Sequence, residues 1–101
     1  MLTQEHANQV RSALAHLPYA TVQWSDLGGT DKASILITIA KQKKEDFPNK
    51  ILQNSQYRMF HLQHDMRLES FSGYGTNKFR AGKVKSVEHA IEKLKTWFET
   101  A

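Results

Sequence analysis

The chain has no cysteine and only two prolines in 101 residues. Without cysteine there can be no disulfide, no thiolate nucleophile and no cysteine-type zinc site, so stability has to come from packing. Long apolar runs are also missing. The longest, Ile35 to Ala40 with Thr38 inside it, is far short of the ~20 residues that cross a bilayer, and no transmembrane helix is expected. The first residues, Met-Leu-Thr-Gln-Glu-His, lack the basic flank and apolar stretch of a signal peptide, so the expected location is cytoplasmic. Internal repeats, low-complexity tracts and linker composition are absent too, which leaves one domain over residues 1–101.

Hydrophobic residues make up 40% and charged residues 24% of the chain, close to a globular average and far from the composition of disordered chains. The formal charge of +4 is unevenly spread. Residues 1–40 carry Arg11 and Lys32 against Glu5, Asp26 and Asp31, whereas residues 73–85 carry Lys78, Arg80, Lys83 and Lys85 with no acid. That one segment equals the whole excess.

Thr3 reads as an N-cap. Ala7, Val10, Leu14 and Leu17 then recur at three- and four-residue spacing, predicting a helix over about 4–16 that ends before Pro18. Ala20, Val22 and Trp24 alternate with polar residues as in a half-buried strand. Residues 33–41 place Ile35, Ile37 and Ile39 on one face and Leu36, Thr38 and Ala40 on the other, the pattern of a central strand. Lys41 to Asp46 and Phe47-Pro48-Asn49 leave the sheet, and the pattern of Lys50 to Asn54 does not decide for or against helix. Tyr57 to Gln63 and Met66 to Ser72 form a hairpin. A three-residue loop, Gln63-His64-Asp65, pairs Leu62 with Met66 and Phe60 with Leu68 and keeps all four on one face, with Asp65 in the left-handed position. A flexible connection runs from Gly73 through Lys85. Ser86 then caps a helix whose apolar stripe is Val87, Ala90, Ile91, Leu94, Trp97 and Phe98. The expected fold is α+β, in the order α-β-β-β-β-α: an antiparallel four-stranded sheet with both helices packed on one face.

Five histidines raise the question of catalysis or metal binding. His61 and His64 are the only clustered pair, and three residues apart on a strand they point to opposite faces, so no metal site is expected. Asp26-Leu-Gly-Gly-Thr-Asp31 lacks the carboxylate density of a calcium loop. Gly73-Tyr74-Gly75 is not a phosphate-binding fingerprint, and no serine stands in a nucleophile-elbow pattern. Neither a catalytic residue nor a cofactor is implied.

Two surfaces compete for a binding role. In the first, Lys78, Arg80, Lys83 and Lys85, with Tyr74 and Phe79 among or before them, suit phosphate contact with base stacking, aided by the helix N-terminus that follows. In the second, the sheet face turned away from the helices carries Tyr57, Met59, His61, Arg67, Glu69 and Phe71, and an open face of that kind suits a protein partner or a homodimer. In the order of its elements, with lysines and an arginine before the last helix, the chain resembles the double-stranded-RNA-binding domain. That resemblance implies a basic cluster at the start of the final helix, where this chain has Ser86-Val87-Glu88-His89. The expected function is therefore a non-enzymatic binding module that uses its open sheet face for protein interaction or as a homodimer, with nucleic-acid binding by loop 73–85 and a small enzyme without a linear motif as the alternatives.

Overall fold

The structure is a computed structural model that describes residues 2–26, 29–70 and 81–101. Thr3 opens the first helix, α1 (Gln4–Ala13). The Thr3 hydroxyl accepts from the His6 N–H, and His6 Nδ1 accepts from the Thr3 N–H at 3.0 Å, a capping box with imidazole in the usual glutamate position. The helix stops earlier than residue 16. Leu14 is its C-cap, and the Ala15 and Leu17 amides turn to acceptors three residues back, which lets the chain reach Pro18 out of helical geometry.

Five strands follow: β1 (Tyr19–Ser25), β2 (Ser34–Ala40), β3 (Tyr57–Leu62), β4 (Arg67–Ser70) and β5 (Gly82–Lys83). They form one antiparallel sheet in the order β1-β2-β3-β4-β5. Among the described residues the sheet thus has five strands instead of the expected four. The added one is two residues long and lies inside the segment read from sequence as a connection. A short helix, α2 (Lys50–Gln56), joins β2 to β3, opened by Asn49, whose Oδ1 accepts from the Leu52 N–H at 2.8 Å. The last helix, α3 (Val87–Thr100), is capped by Ser86. Between β1 and β2 Gly29 takes φ 95°, a value that excludes a side chain without strain.

One core fills the space between the sheet and the helices. Ile35, Ile37 and Ile39 of β2, Phe60 and Leu62 of β3 and Leu68 of β4 meet Ala7, Val10 and Leu14 of α1 and the buried stripe of α3. Phe60 and Trp97 meet edge to face, 5.2 Å between ring centroids. Both helices lie on this inner face, as expected, and a Gln9–Glu88 hydrogen bond of 2.9 Å joins them.

The β3–β4 turn departs from the expected register. Leu62 pairs with Leu68 and Phe60 with Ser70, a slip of two residues, and the loop is His64-Asp65-Met66. The left-handed residue is Met66 (φ 67°), not Asp65. Asp65 instead accepts from the Arg67 N–H through its side chain. A slip of two keeps every side chain on its face, so the inner and outer assignments survive.

Among the described residues Arg58 is the one charged side chain in the core, at 3% exposure, and no carboxylate of theirs lies within salt-bridge reach of it. One Nη donates to the Asn54 carbonyl at 3.2 Å, the guanidinium sits 5.8 Å from the Trp97 ring, and Nε finds no acceptor among the described residues. Lys41 lies next to the same helix end, 4.0 Å from the Phe98 ring centroid. Two cations thus lie against aromatic rings carried by α3. Desolvation pulls the Arg58 pKa below its ordinary value. Because desolvation opposes what these contacts return, Arg58→Met is expected to leave stability unchanged or raise it. Arg58→Ala, which opens a cavity, is expected to lower it by about 2–4 kcal/mol. Urea unfolding of the two variants checks this.

Candidate functional site

The helices cover the inner face, and the register sorts the side chains of the outer face into rows. Tyr19, Ala40 and Tyr57 form the first row, then Thr21, Thr38 and Met59, then Gln23, Leu36, His61 and Glu69. Arg67 and Lys83 pair at the far end of β4 and β5. Residues 41–56, which could have folded over this surface, leave it open. Met59, at the middle of β3, is 42% exposed, and Leu36 and Thr38 beside it are half-buried. The connection is held mainly to itself, by bonds from Gln42 to the Asp46 carbonyl and from Gln53 to the Lys44 carbonyl.

At the α2 end of the face, Ala40 is small enough for the rings of Tyr19 and Tyr57 to meet across it, with centroids 6.0 Å apart, and Ala40 is fully buried. The Lys44 ammonium lies 6.0 Å from the Tyr57 ring. At the other end Glu69 accepts from Gln63 at 2.8 Å and from Arg67 at 3.5 Å, so its charge is answered within the face.

Of the interface residues expected from sequence, the structure brings Tyr57, Met59, His61 and Arg67 together on this face, while Phe71 lies outside the described residues. Leu36, Thr38, Tyr19 and Gln23 share the surface and were not anticipated as part of it. Their signal was the second face of β2 and the polar positions of β1.

Of the basic group, Tyr74, Lys78, Phe79 and Arg80 lie outside the described residues, and Lys83 and Lys85 are exposed. Part of the donor capacity around the start of α3 is already used. His89 N–H is taken by the Ser86 hydroxyl at 3.1 Å and Lys85 N–H by His89 Nδ1 at 3.0 Å. Glu88 adds a negative charge there. Its carboxyl is held below the usual range, first by the hydrogen bond from Gln9 and then by its own backbone N–H.

Among the described residues each sheet edge carries a feature that hinders strand addition. Along β1, Arg11 of α1 donates to the Val22 carbonyl at 2.8 Å, and its guanidinium is braced on Asn8 at 2.6 Å. The opposite edge, β5, has only two residues. A cleft of about 330 Å³ separates the starts of α1 and α3 from Met66, but the polar groups of His6, Gln9, Ser86 and Glu88 in it already serve the two helix ends. Among the described residues no three metal-ligating side chains converge, and no helix is long and apolar enough to cross a membrane.

The Tyr57 phenol is pushed above its ordinary value, first by burial and then by Tyr19. A raised acid pKa means that the folded state holds its proton longer than the unfolded chain. Stability should therefore fall as pH rises past the unfolded value of ~10 towards the folded one. Phenolate absorbance is expected to show one late-titrating tyrosine, absent in Tyr57→Phe, and the high-pH loss of stability should be smaller in that variant.

Compared with known protein families, with characterised proteins and with solved structures, the chain matches none.

Proposed function

We propose that this chain is a small non-enzymatic binding module and that a protein surface docks flat on the outer sheet face. The observation that carries this reading is the uncovered centre of the sheet. Met59 is 42% exposed on an inner strand, flanked by Leu36, Thr38 and Tyr57, while Arg11 of α1 takes a carbonyl of the β1 edge and β5 is only two residues long. Apolar side chains at the centre with charged ones at one end follow the layout of a protein interface, core apolar and rim polar.

Met59→Asp places a charge at the centre of this face without touching the core. Wild-type protein, immobilised, is expected to retain at least one protein that Met59→Asp loses. Glu5→Gln, on the solvent side of α1, should retain the full set, and circular dichroism should be alike for all three. Identical sets for wild type and Met59→Asp would sink the proposal.

The register that sets Arg67 beside Lys83, with Lys85 two residues on, supports a second reading, contact with an anionic polymer. Binding to single-stranded DNA should then weaken steeply with salt, and Lys83→Ala/Lys85→Ala should flatten the log–log slope by about 0.7 for each phosphate no longer neutralised. An unaltered slope removes these two lysines from any such role.

A further inference from the structure

Resting on the docking face proposed above, we infer that its occupant is an acidic protein surface, one that sets a carboxylate between Arg67 and Lys83 and an apolar group on Met59. The register makes the case. Arg67 of β4 and Lys83 of β5 stand directly opposite each other on the outer face, where two like charges about 5 Å apart at Cβ weaken the strand pair. A strand of two residues has little ladder to offset that repulsion. Little inside the chain answers the two cations. Lys83 is exposed and makes no ion pair among the described residues, and Arg67 reaches Glu69 only at 3.5 Å, a solvent-screened contact of small worth. Opposed cations cost stability in the free chain, and that cost is relieved when an anion comes between them.

The surroundings choose the anion. Glu69 lies two residues beyond Arg67 on the same face, and Asp65, two residues before it, turns its carboxylate to the Arg67 N–H. A phosphate chain running along β4 meets these acids beside the cations, whereas one carboxylate on a protein addresses the Arg67–Lys83 pair alone. A second copy of this chain brings the same cations, and the carboxylate of its own face, Glu69, is already held by Gln63 and Arg67.

The charge also gives the face a direction. At its other end Lys44 lies 6.0 Å from the Tyr57 ring and the Glu45 carboxylate is felt at the Tyr57 phenol, so neither sign is in excess there. Gln63 is level with Arg67 and four residues beyond Met59. At ~3.4 Å per residue and ~4.8 Å between strands, the partner's carboxylate and its apolar group stand about 15 Å apart.

A labelled glutamate–tyrosine copolymer carries both chemistries. Its binding to the full chain at low salt, read by fluorescence anisotropy, is expected to fall about fivefold in Arg67→Gln/Lys83→Gln, as for two exposed ion pairs, and by a similar factor in Met59→Asp. Polyglutamate, without the apolar group, should bind more weakly than the copolymer. Lys83→Glu separates binding from structure. It sets a carboxylate opposite Arg67, so its urea midpoint should rise above that of wild type while copolymer binding drops at least as far as in the double variant. Copolymer binding that survives the Arg67 and Lys83 variants but not Met59→Asp overturns the acidic partner and leaves the docking face intact. Binding that survives Met59→Asp but not the loss of the cations overturns the face as well. No copolymer binding at all overturns the acidic partner. So does a thymidine oligonucleotide that binds tighter through the same two cations, which gives them to nucleic acid, or a wild-type dimer in sedimentation that Met59→Asp dissolves, which gives the face to a second copy.

Discussion

Strand β2 is the constraint on which the rest depends. It is hydrogen-bonded on both sides, to β1 and to β3, and Ile35, Ile37 and Ile39 are essentially inaccessible to solvent on its inner face. Three β-branched side chains in alternate positions need an apolar roof, and full burial of each contributes roughly 1.5–3 kcal/mol. The roof is α1 and α3, the two longest helices. With both committed to one side, the described residues hold no other helix of comparable length to cover the other side of β2.

The placement of charge obeys the same economy. Arg58 stands on the inner face in line with Phe60 and Leu62, a position where an aliphatic residue would suit the core. The Asn54 carbonyl and the Trp97 ring meet its guanidinium, as Phe98 meets Lys41. The opposite ends of the helices are closed with equal care. His6 and His89 each sit three residues after a hydroxyl cap, and in both cases Nδ1 accepts a backbone N–H. At α3 the His89 N–H is thus bonded to the cap. The negative Glu88 carboxylate lies where a phosphate would have to approach.

What the sequence reveals depends on whether a feature is periodic. Both long helices were legible, because Thr3 and Ser86 mark their starts and apolar residues recur at helical spacing. The two-faced β2 was legible for the same reason. The hairpin faces were recovered but not its register, since alternation repeats every two residues and cannot distinguish a slip of two. The deciding feature was the turn, where Met66 takes a left-handed conformation that glycine, asparagine or aspartate adopts more readily. Strand β5 is too short to show a pattern, and α2 too short to show a stripe, although Asn49 is a cap that could have been read. For the site, β3 contributed the residues that alternation identified. The β2 and β1 half stayed hidden because Thr38, Ala40 and Gln23 gain meaning only when the ladder places them beside Met59, Tyr57 and His61.

The way an open sheet is protected suggests how it is used. A solitary sheet can be approached along an edge or onto a face, and edge pairing is the less discriminating route, since any extended backbone satisfies it. Here the edge is defended by a specific device. Asn8 holds Arg11, and Arg11 occupies a carbonyl of β1 that a foreign strand would need. Contact through the outer face would instead be made by side chains: Glu69 is held by Gln63 and Arg67 at one end, and Met59 stands exposed among Leu36, Thr38 and Tyr57 at the centre. A partner laid on that face has to match its relief row by row, whereas a strand added at an edge has only to be extended.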